Sequence, residues 1–328
     1  MLSYMFLSIL ISFIITSILG VVIIPYLKKL KINQSLSIYL EEDHKSKKNT
    51  PTMGGLIFIL GTMLTYMLFY LLNIIEFNYT VFLIIFTFLG YFLIGFIDDY
   101  LIVIKHNNKG LSENQKLILQ IIISVIYFYI FMVNDNEPLI WIHTFNIKVN
   151  IGFLYGIFIL FVLLSSSNAV NITDGLDGLA CGLSIISFIT FGILSYNTEW
   201  LIGYNDISLL AFIISGSLLA FLVFNINPAK VFMGDTGSLA LGATLGSYAI
   251  LTRHELLLVL IGIVFVIETL SCIIQRIYYK LTKKRLFPMT PIHHTFEKMG
   301  ISEINIVRIF WIIGLLSSIL ALSFGVFL

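Results

Sequence analysis

Residues 168–180 read "NAVNITDGLDGLA", a polar stretch that lies between the apolar runs "FILFVLLSSS" and "FGILSY". It places Asn168, Asn171, Asp174 and Asp177 at a spacing of three residues. Because residues three apart are neighbours on a helix face, these side chains would offer amide donors and carboxylate acceptors to one polar ligand. The glycines that follow the two aspartates would let another group approach the backbone closely. A helix cap is the alternative, but a cap uses one such residue and not four.

The composition around this stretch is that of a membrane protein. The chain has 328 residues, of which 58% are hydrophobic and 11% are charged, and its mean hydropathy is +0.98. Soluble domains carry roughly 25% charged residues. We therefore predict an all-α, polytopic integral membrane protein with about ten transmembrane helices, each needing about twenty mostly apolar residues. The predicted spans lie near residues 3–26, 54–75, 80–97, 117–133, 152–167, 179–196, 207–224, 237–251, 256–278 and 305–327.

The charge distribution predicts the orientation of these spans. Fifteen lysines and arginines fall in the odd-numbered loops between predicted spans, whereas Lys148 and Arg253 alone lie in the even-numbered loops. By the positive-inside rule the odd-numbered loops are cytoplasmic, so both termini are extracytoplasmic. The longest polar stretch, residues 27–53, is too short for a soluble domain. We therefore predict a single transmembrane domain over residues 1–328.

Two further motifs place carboxylates at span ends that face the cytoplasmic loops. "GFIDDY" contains Asp98 and Asp99, and "VFMGDTGS" contains Asp235. Adjacent carboxylates repel each other, and a divalent cation relieves that repulsion. Glycines on both sides of the Asp235 turn favour an anion-binding nest, with Asp235 as a metal ligand beside phosphate. The alternatives are an ordinary helix end with exposed acids and a plain turn capped by Asp235.

Polar residues near the same predicted face form two more motifs. In "PMTPIHHTFEKMG", His293 and His294 would contact phosphate, or are simply polar loop histidines. In "KKNTPTMGG", Lys47 and the neighbouring Lys48 attract an anion, enforce the membrane topology, or do both. Glu268 lies well within a predicted span, and we expect a structural role for it.

Acids, amides, lysines and histidines thus converge on one cytoplasmic face. Clustered acids favour a divalent cation, whereas the nest and the lysines favour phosphate. Phosphoryl transfer needs little more from a protein than positioning and cations, and the membrane location suggests a lipid substrate. An ion-coupled transporter is the alternative from another class. The position of the acids near one membrane face argues against it.

Six motifs, in order along the chain, resemble those of the phospho-N-acetylmuramoyl-pentapeptide transferase family, also called translocase I. They are "TPTMGG", "GFIDDY", "SNAVNITDGLDGLA", "NPAKVFMGDTGSLALG", "FVIETLS" and "PIHHTFE". The resemblance runs from about residue 44 to residue 311. The polar ladder and "GDTGS" are shared with the wider polyprenyl-phosphate N-acetylhexosamine-1-phosphate transferases. The branch usually has three consecutive histidines where this chain has His293, His294 and Thr295.

The resemblance implies a ten-helix fold, Mg²⁺ as cofactor and a defined reaction. Undecaprenyl phosphate would attack the β-phosphate of UDP-MurNAc-pentapeptide, giving lipid I and UMP, the first membrane step of peptidoglycan synthesis. It also implies a bacterial plasma-membrane protein with its active site on the cytoplasmic face, membrane lipid as a partner, a homodimer, and no nucleic acid. A sister transferase that uses UDP-N-acetylglucosamine is the close alternative.

The same resemblance assigns roles to individual residues. Asp235 would hold Mg²⁺, and Asp98, beside Asp99, would be the candidate base toward the lipid phosphate. His294 would contact the sugar-phosphate region. The substrate-binding candidates are Lys47, Asn225 and Phe232 for uridine, with Phe232 stacked on the base, and Thr52, Asn168, Asn171, Asp174, Asp177 and His293 around the nucleotide. Because a phosphate monoester has its second pKa near 6, the lipid phosphate is largely dianionic, and Asp98 could instead orient it or bind metal.

Overall fold

The computed structural model describes residues 2–30, 50–105 and 110–326. Within these ranges the chain forms twelve α-helices and one β-hairpin. The helices are α1 (Leu2–Lys29), α2 (Gly55–Leu71), α3 (Tyr79–Lys105), α4 (Glu113–Val133), α5 (Leu154–Thr173), α6 (Leu179–Tyr196), α7 (Tyr204–Asn225), α8 (Gly234–Leu251), α9 (Glu255–Ile261), α10 (Ile263–Thr282), α11 (Ile292–Lys298) and α12 (Glu303–Val326). The hairpin pairs β1 (Leu139–Ile142) with β2 (Ile147–Asn150).

The helices agree with a multi-pass membrane protein. Each of the ten predicted spans contains a helix. In the described part of the chain, seven helices are long and apolar enough to cross a membrane, or eight if α9 and α10 count as one span. The number of ten spans, the extracytoplasmic location of both termini and the single domain over residues 1–328 stay predictions.

Helix α8 explains why one predicted span looks weakly apolar. Every residue from 236 to 251 is buried, and α8 packs against α3 on one side and α5 on the other. A helix that other helices surround does not face lipid, so small and polar residues suffice on its surface. Gly95 of α3 is one point of close approach, since a Cβ there would overlap the backbone carbonyl of Asp235. Close packing therefore brings the end of α3 against the start of α8.

Two local features depart from the sequence prediction. The segment predicted as one span near residues 256–278 is two helices, α9 and α10, which meet at 86° around Gly262. The hairpin departs from a purely α-helical chain; its strands pair antiparallel, with Leu139 opposite Asn150. Strands of four residues are too short to produce a recognisable alternation of apolar and polar positions.

The helix directions separate two polar ends of the molecule. The carboxyl ends of α3 and α5 meet the amino ends of α4 and α8 at one end. The hairpin, the start of α3 and the end of α8 lie at the other. Asp98 follows Tyr79 by nineteen residues in α3, which at about 1.5 Å per residue separates the two ends by roughly 28 Å. That distance is close to the thickness of a bilayer's apolar core, about 30 Å.

Candidate active site

Three carboxylates meet where the end of α3 packs against the start of α8. Asp98 and Asp99 are buried, with relative exposures of 3% and 6%, and Asp235 lies in the first turn of α8. One oxygen from each lies within 4.8 Å of the other two. The structure therefore brings together the acids of "GFIDDY" and "VFMGDTGS", as the sequence analysis expected.

Lys116, at the start of α4, joins two of these acids. Its Nζ lies 3.0 Å from Oδ2 of Asp98 and 2.7 Å from Oδ2 of Asp235. The other oxygen of Asp98 accepts the backbone N–H of Leu111 at 2.6 Å. Asp98 is thus held on both oxygens, and one ammonium group partly offsets three carboxylates. The carboxylate oxygens of the three acids are hard ligand atoms of the kind that Mg²⁺ prefers.

Asp99 fixes the first turn of α8. Its Oδ2 accepts the backbone N–H of Thr236 at 2.9 Å and the Thr236 hydroxyl at 2.6 Å. Gly234 adopts φ +73°, and a Cβ at this position would approach both Asp99 and the hydroxyl of Thr52 closely. The glycine thus permits the left-handed backbone conformation. Thr52 lies beside the cluster and is buried, with a relative exposure of 4%.

The polar ladder of the opening stretch reaches the cluster through two of its residues. Asn171 donates its Nδ2 to Asp235 Oδ1 and to the Ser238 hydroxyl, both at 2.8 Å. Asp174 follows the last residue of α5. Burial, together with the charges of Asp235, Asp99 and Asp177, raises the pKa of Asp174 to about 8. Such crowding of negative charge is what a bound divalent cation relieves.

The other two ladder residues have different surroundings. Asn168 donates its side-chain amide to Leu164 O at 2.8 Å, within its own helix. Asp177 lies beyond the end of α5 and accepts hydrogen bonds from Asn227 Nδ2 and from the backbone N–H of Ala229, at 3.1 and 3.0 Å. The prediction of one helical row of four side chains is therefore wrong, because the helix ends at Thr173.

The two histidines lie in the short helix α11, and each has a carboxylate partner. His293 is fully buried, and its Nδ1 lies 3.1 Å from Oε2 of the buried Glu268. His294 Nδ1 lies 2.6 Å from Glu297 Oε2. A Cβ on Gly175 would overlap the ring of His293, so this ring packs directly on the loop that follows α5. Glu268 thus lies against His293, and the structural role expected for it stays a prediction.

Thr295 stands where the resembling family usually has a third histidine. Its hydroxyl donates to the backbone carbonyl of Met289, and the Met289 N–H lies 3.4 Å from the same hydroxyl oxygen. Thr295 therefore fastens the loop before α11 to the helix.

Two of the candidate uridine residues lie where α7 ends and on the loop that leads to α8. Phe232 pairs through its backbone with the segment before α2: its N–H donates to Pro51 O, and its carbonyl accepts the Gly54 N–H, both at 2.8 Å. The ring of Phe232 is partly exposed. Asn225 donates Nδ2 to Val231 O at 3.0 Å, while its buried Oδ1 has no partner in the described chain. Lys47 lies outside the described residues.

Sequence reasoning missed Lys116, which it counted only toward membrane topology. A signal was present in "SENQK", since Ser112 and Gln115 form a capping box that starts α4. A capping box predicts the helix start and so places Lys116 in the first turn of α4. Thr236 and Ser238 were missed for another reason: hydrogen bonds between distant segments leave no pattern in the sequence.

Comparisons with known proteins agree with the motifs. The model of glycosyl transferase family 4 matches residues 81–253. Signature 1 of the phospho-N-acetylmuramoyl-pentapeptide-transferases matches residues 47–59. A Staphylococcus aureus phospho-N-acetylmuramoyl-pentapeptide-transferase (strain bovine RF122 / ET3-1) is 46% identical over 97% of this chain and 98% of the relative. The protein of that name from Staphylococcus saprophyticus subsp. saprophyticus is 46% identical over 96% of this chain and 98% of the relative.

Proposed function

Because this chain belongs to the phospho-N-acetylmuramoyl-pentapeptide-transferase family, we propose that it transfers phospho-MurNAc-pentapeptide from UDP-MurNAc-pentapeptide to undecaprenyl phosphate. The products are lipid I and UMP. The observation that carries this proposal is the identity of about 46% over nearly the full length of both chains. The cluster of Asp98, Asp99 and Asp235 at one end of a membrane helix bundle supports it.

The reaction exchanges one phosphoric anhydride for another. An oxygen of the lipid phosphate forms a bond to the β-phosphorus of the donor, and the bond from that phosphorus to the bridging oxygen breaks. UMP leaves with the bridging oxygen. Since the lipid phosphate is largely dianionic near neutral pH, the protein's main tasks are to position the two phosphates and to offset their charge.

The residues of the cluster fit Mg²⁺, with Asp235 as the proposed ligand and Asp98 and Asp99 beside it. The donor set consists of carboxylate oxygens within 4.8 Å of one another, and it carries more negative charge than Lys116 offsets. When bound, Mg²⁺ supplies positive charge toward the diphosphate. Lys116 has its ammonium group between Asp98 and Asp235, and we assign it the adjacent phosphate oxygens. Asp98 is the proposed base toward the lipid phosphate.

The donor's uridine is assigned to the loop before α8. The partly exposed ring of Phe232 can stack on uracil, and the unpartnered Oδ1 of Asn225 can accept a hydrogen bond from the base. A buried acceptor without a partner is unfavourable unless a ligand or water satisfies it. Lys47 completes this proposed subsite. The remaining proposed substrate contacts are Thr52, Asn168, Asn171, Asp174, Asp177, His293 and His294.

We assign the active site to the cytoplasmic face of a bacterial plasma membrane. Lys28 and Lys29 end α1, and Lys280 lies in the last turn of α10. In the predicted topology these helix ends point to the same side as the acid cluster, and the positive-inside rule makes that side cytoplasmic. The homodimer that the family resemblance implies stays a prediction.

The test measures UMP release by the purified, detergent-solubilised protein. We expect release only when Mg²⁺, UDP-MurNAc-pentapeptide and undecaprenyl phosphate are all present, with lipid I as the second product. Asp235→Asn, which removes a charge with little change in size, should reduce turnover to background while leaving the protein folded. UMP release with UDP-N-acetylglucosamine as the donor, and none with UDP-MurNAc-pentapeptide, would favour the sister transferase. Cation transport without UMP release would favour a transporter.

A further inference from the structure

The second polar end of the molecule contains a cavity that the transfer reaction does not use. It has a volume of about 460 Å³, within the usual range for small-ligand sites of about 300–1,000 Å³. Its lining includes Tyr79, Asp135, Glu137, Trp141, Lys148 and Trp200. Since Tyr79 starts α3 and Asp98 lies near its other end, roughly 28 Å separates the cavity from the acid cluster.

The walls of this cavity are fixed by buried hydrogen bonds. Arg253 is 5% exposed and donates to the backbone carbonyls of Leu139 at 3.1 Å and Glu137 at 2.6 Å. Tyr79 donates its hydroxyl to Asn136 Oδ1 at 3.3 Å. These bonds tie the hairpin and the segment before it to α3 and to the end of α8. A binding site whose walls are already ordered loses little conformational entropy when a ligand enters.

The cavity presents charges of both signs that the described protein does not pair. Among the described residues, the carboxylates of Asp135 and Glu137 have no hydrogen bond and no ion pair. Lys148 places its ammonium group 4.1 Å from the centre of the Trp141 ring and likewise has no carboxylate partner within ion-pair distance. Arg253, by contrast, directs its guanidinium to backbone carbonyls and to Tyr155. The free charges therefore suit a ligand that has separate positive and negative groups.

The rim of the cavity is apolar and exposed. Trp200 is 48% exposed and Ile202 is 64% exposed, and both line the opening. In a chain that spans a membrane, apolar side chains at this level face the boundary between lipid and water. A ligand that extends an acyl chain along this rim can keep its polar group inside.

We propose that this cavity binds the headgroup of a phospholipid that has an ammonium group beside its phosphate. Asp135 and Glu137 contact the ammonium group, Lys148 contacts the phosphate, and Trp200 packs against the glycerol and the first acyl carbons. Lys148 on Trp141 already shows an ammonium group held against an indole ring, an interaction of about 0.5–1 kcal/mol at exposed sites. The proposal does not depend on the transfer reaction.

Binding can be measured through tryptophan fluorescence. Two of the chain's three tryptophans, Trp141 and Trp200, line the cavity, and Trp311 lies in α12 against Gly182. In a Trp311→Phe background the signal therefore reports on the cavity alone. The delipidated protein is titrated with dioctanoyl phosphatidylethanolamine, with dioctanoyl phosphatidylglycerol, and with soluble glycerophosphoethanolamine. Native mass spectrometry of the wild-type protein with the same lipids gives a second measurement that needs no variant.

We expect saturable binding of the ethanolamine lipid, about tenfold tighter than the glycerol lipid, because exposed ion pairs are individually weak but several act together. Asp135→Asn with Glu137→Gln should abolish this preference, whereas Glu199→Gln, an exposed acid beside the cavity, should keep it. UMP release by both variants should match the wild type.

Three outcomes would overturn the proposal. Equal binding of both lipids would show that the cavity does not recognise the ammonium group, and that Trp141 and Trp200 act only as aromatic residues at the membrane boundary. If the preference for the ethanolamine lipid persists after both acids are replaced, its ammonium group binds elsewhere. Binding of glycerophosphoethanolamine as tight as that of the lipid would make the ligand a soluble zwitterion.

Discussion

At the residue scale, Asp98 has two alternative proposed roles, general base toward the lipid phosphate and metal ligand. Its carboxylate accepts from the Leu111 N–H and pairs with Lys116, so both of its oxygens have partners and the lysine is held beside Asp235. Yet each carboxylate oxygen keeps a further lone pair, so the lipid phosphate can still approach it. The dependence of the rate on pH and on Mg²⁺ concentration distinguishes a general base from a metal ligand.

Asp98→Asn tests the base assignment through the pH dependence of the rate. A general base contributes about 10²–10⁴-fold and imposes an acid limb on the profile. In the variant we expect a loss of that size, a flattened acid limb, partial recovery at higher pH as the lipid phosphate becomes fully dianionic, and an unchanged Mg²⁺ requirement. UMP release measured from pH 6 to 9 at several Mg²⁺ concentrations would check this. An unaltered profile with a strongly raised Mg²⁺ requirement would make Asp98 a ligand.

The pKa of Asp174 predicts a pH-dependent stability in the protein without metal. That pKa is raised from 3.8 to about 8, so folding favours the protonated carboxyl. The stabilisation is fully present below the ordinary value and is lost as the pH rises toward 8. Thermal unfolding of EDTA-treated protein between pH 5 and 9 should therefore show a falling Tm.

The matched variant for this experiment is Asp174→Asn, in which the fall should be smaller because no charge can form at this position. Mg²⁺ should also reduce the fall in the wild type, since it offsets the charge of the cluster. Glu199→Gln, at the other end of the molecule, should behave as the wild type. An identical slope in Asp174→Asn would show that other acids control the stability.

At the scale of elements, the start of α12 holds two loops of the site together. Glu303 Oε1 accepts the backbone N–H of Asp177 at 2.7 Å, and its Oε2 accepts Asn227 Nδ2 at 3.0 Å. Asn227 also donates to Asp177, and Asp177 accepts the Ala229 N–H. The cluster of Asp177, Asn227 and Glu303 thus joins the loop after α5, the loop that carries Phe232, and α12. This supports a positioning role for Asp177.

Glu303→Gln should weaken donor use without changing the chemistry. The new amide group would face an N–H or NH₂ donor, so one partly buried hydrogen bond is lost at a cost of about 1–2 kcal/mol. We expect KM for the UDP-linked donor to rise about five- to thirtyfold, with kcat nearly unchanged. Steady-state kinetics with each substrate varied would measure the split.

The neighbouring variant Asp177→Asn gives the control for this positioning role. Its effect on the donor KM should be similar, and the double variant should add little, because residues of one hydrogen-bonded cluster are not independent. A fall in kcat at constant KM, or full additivity of the two changes, would contradict a shared positioning role.

At the scale of the whole molecule, the sequence predicts features that have a local signal, such as an apolar helix, and misses contacts between distant segments. Hydropathy located a helix within every predicted span. The side of the membrane on which the lysines accumulate stays a prediction. The bend at Gly262 was not predictable, because the apolar run continues through it. Lys116 was missed because its pairing with Asp98 and Asp235 joins residues up to 119 positions apart, and such contacts leave no periodic trace.

The predicted orientation has a direct test at the two polar ends. Lys148, on the hairpin, and Lys284, after α10, are both exposed, and each can be replaced by cysteine in a Cys181→Ser, Cys272→Ser background. Both native cysteines are free thiols, so the background carries no disulfide to break. If the excess of lysine and arginine makes the acid-cluster end cytoplasmic, a membrane-impermeant maleimide should label Lys148→Cys in intact cells. Lys284→Cys should react only after permeabilisation. The reverse pattern would move the acid cluster to the outer face and would be incompatible with a cytoplasmic active site.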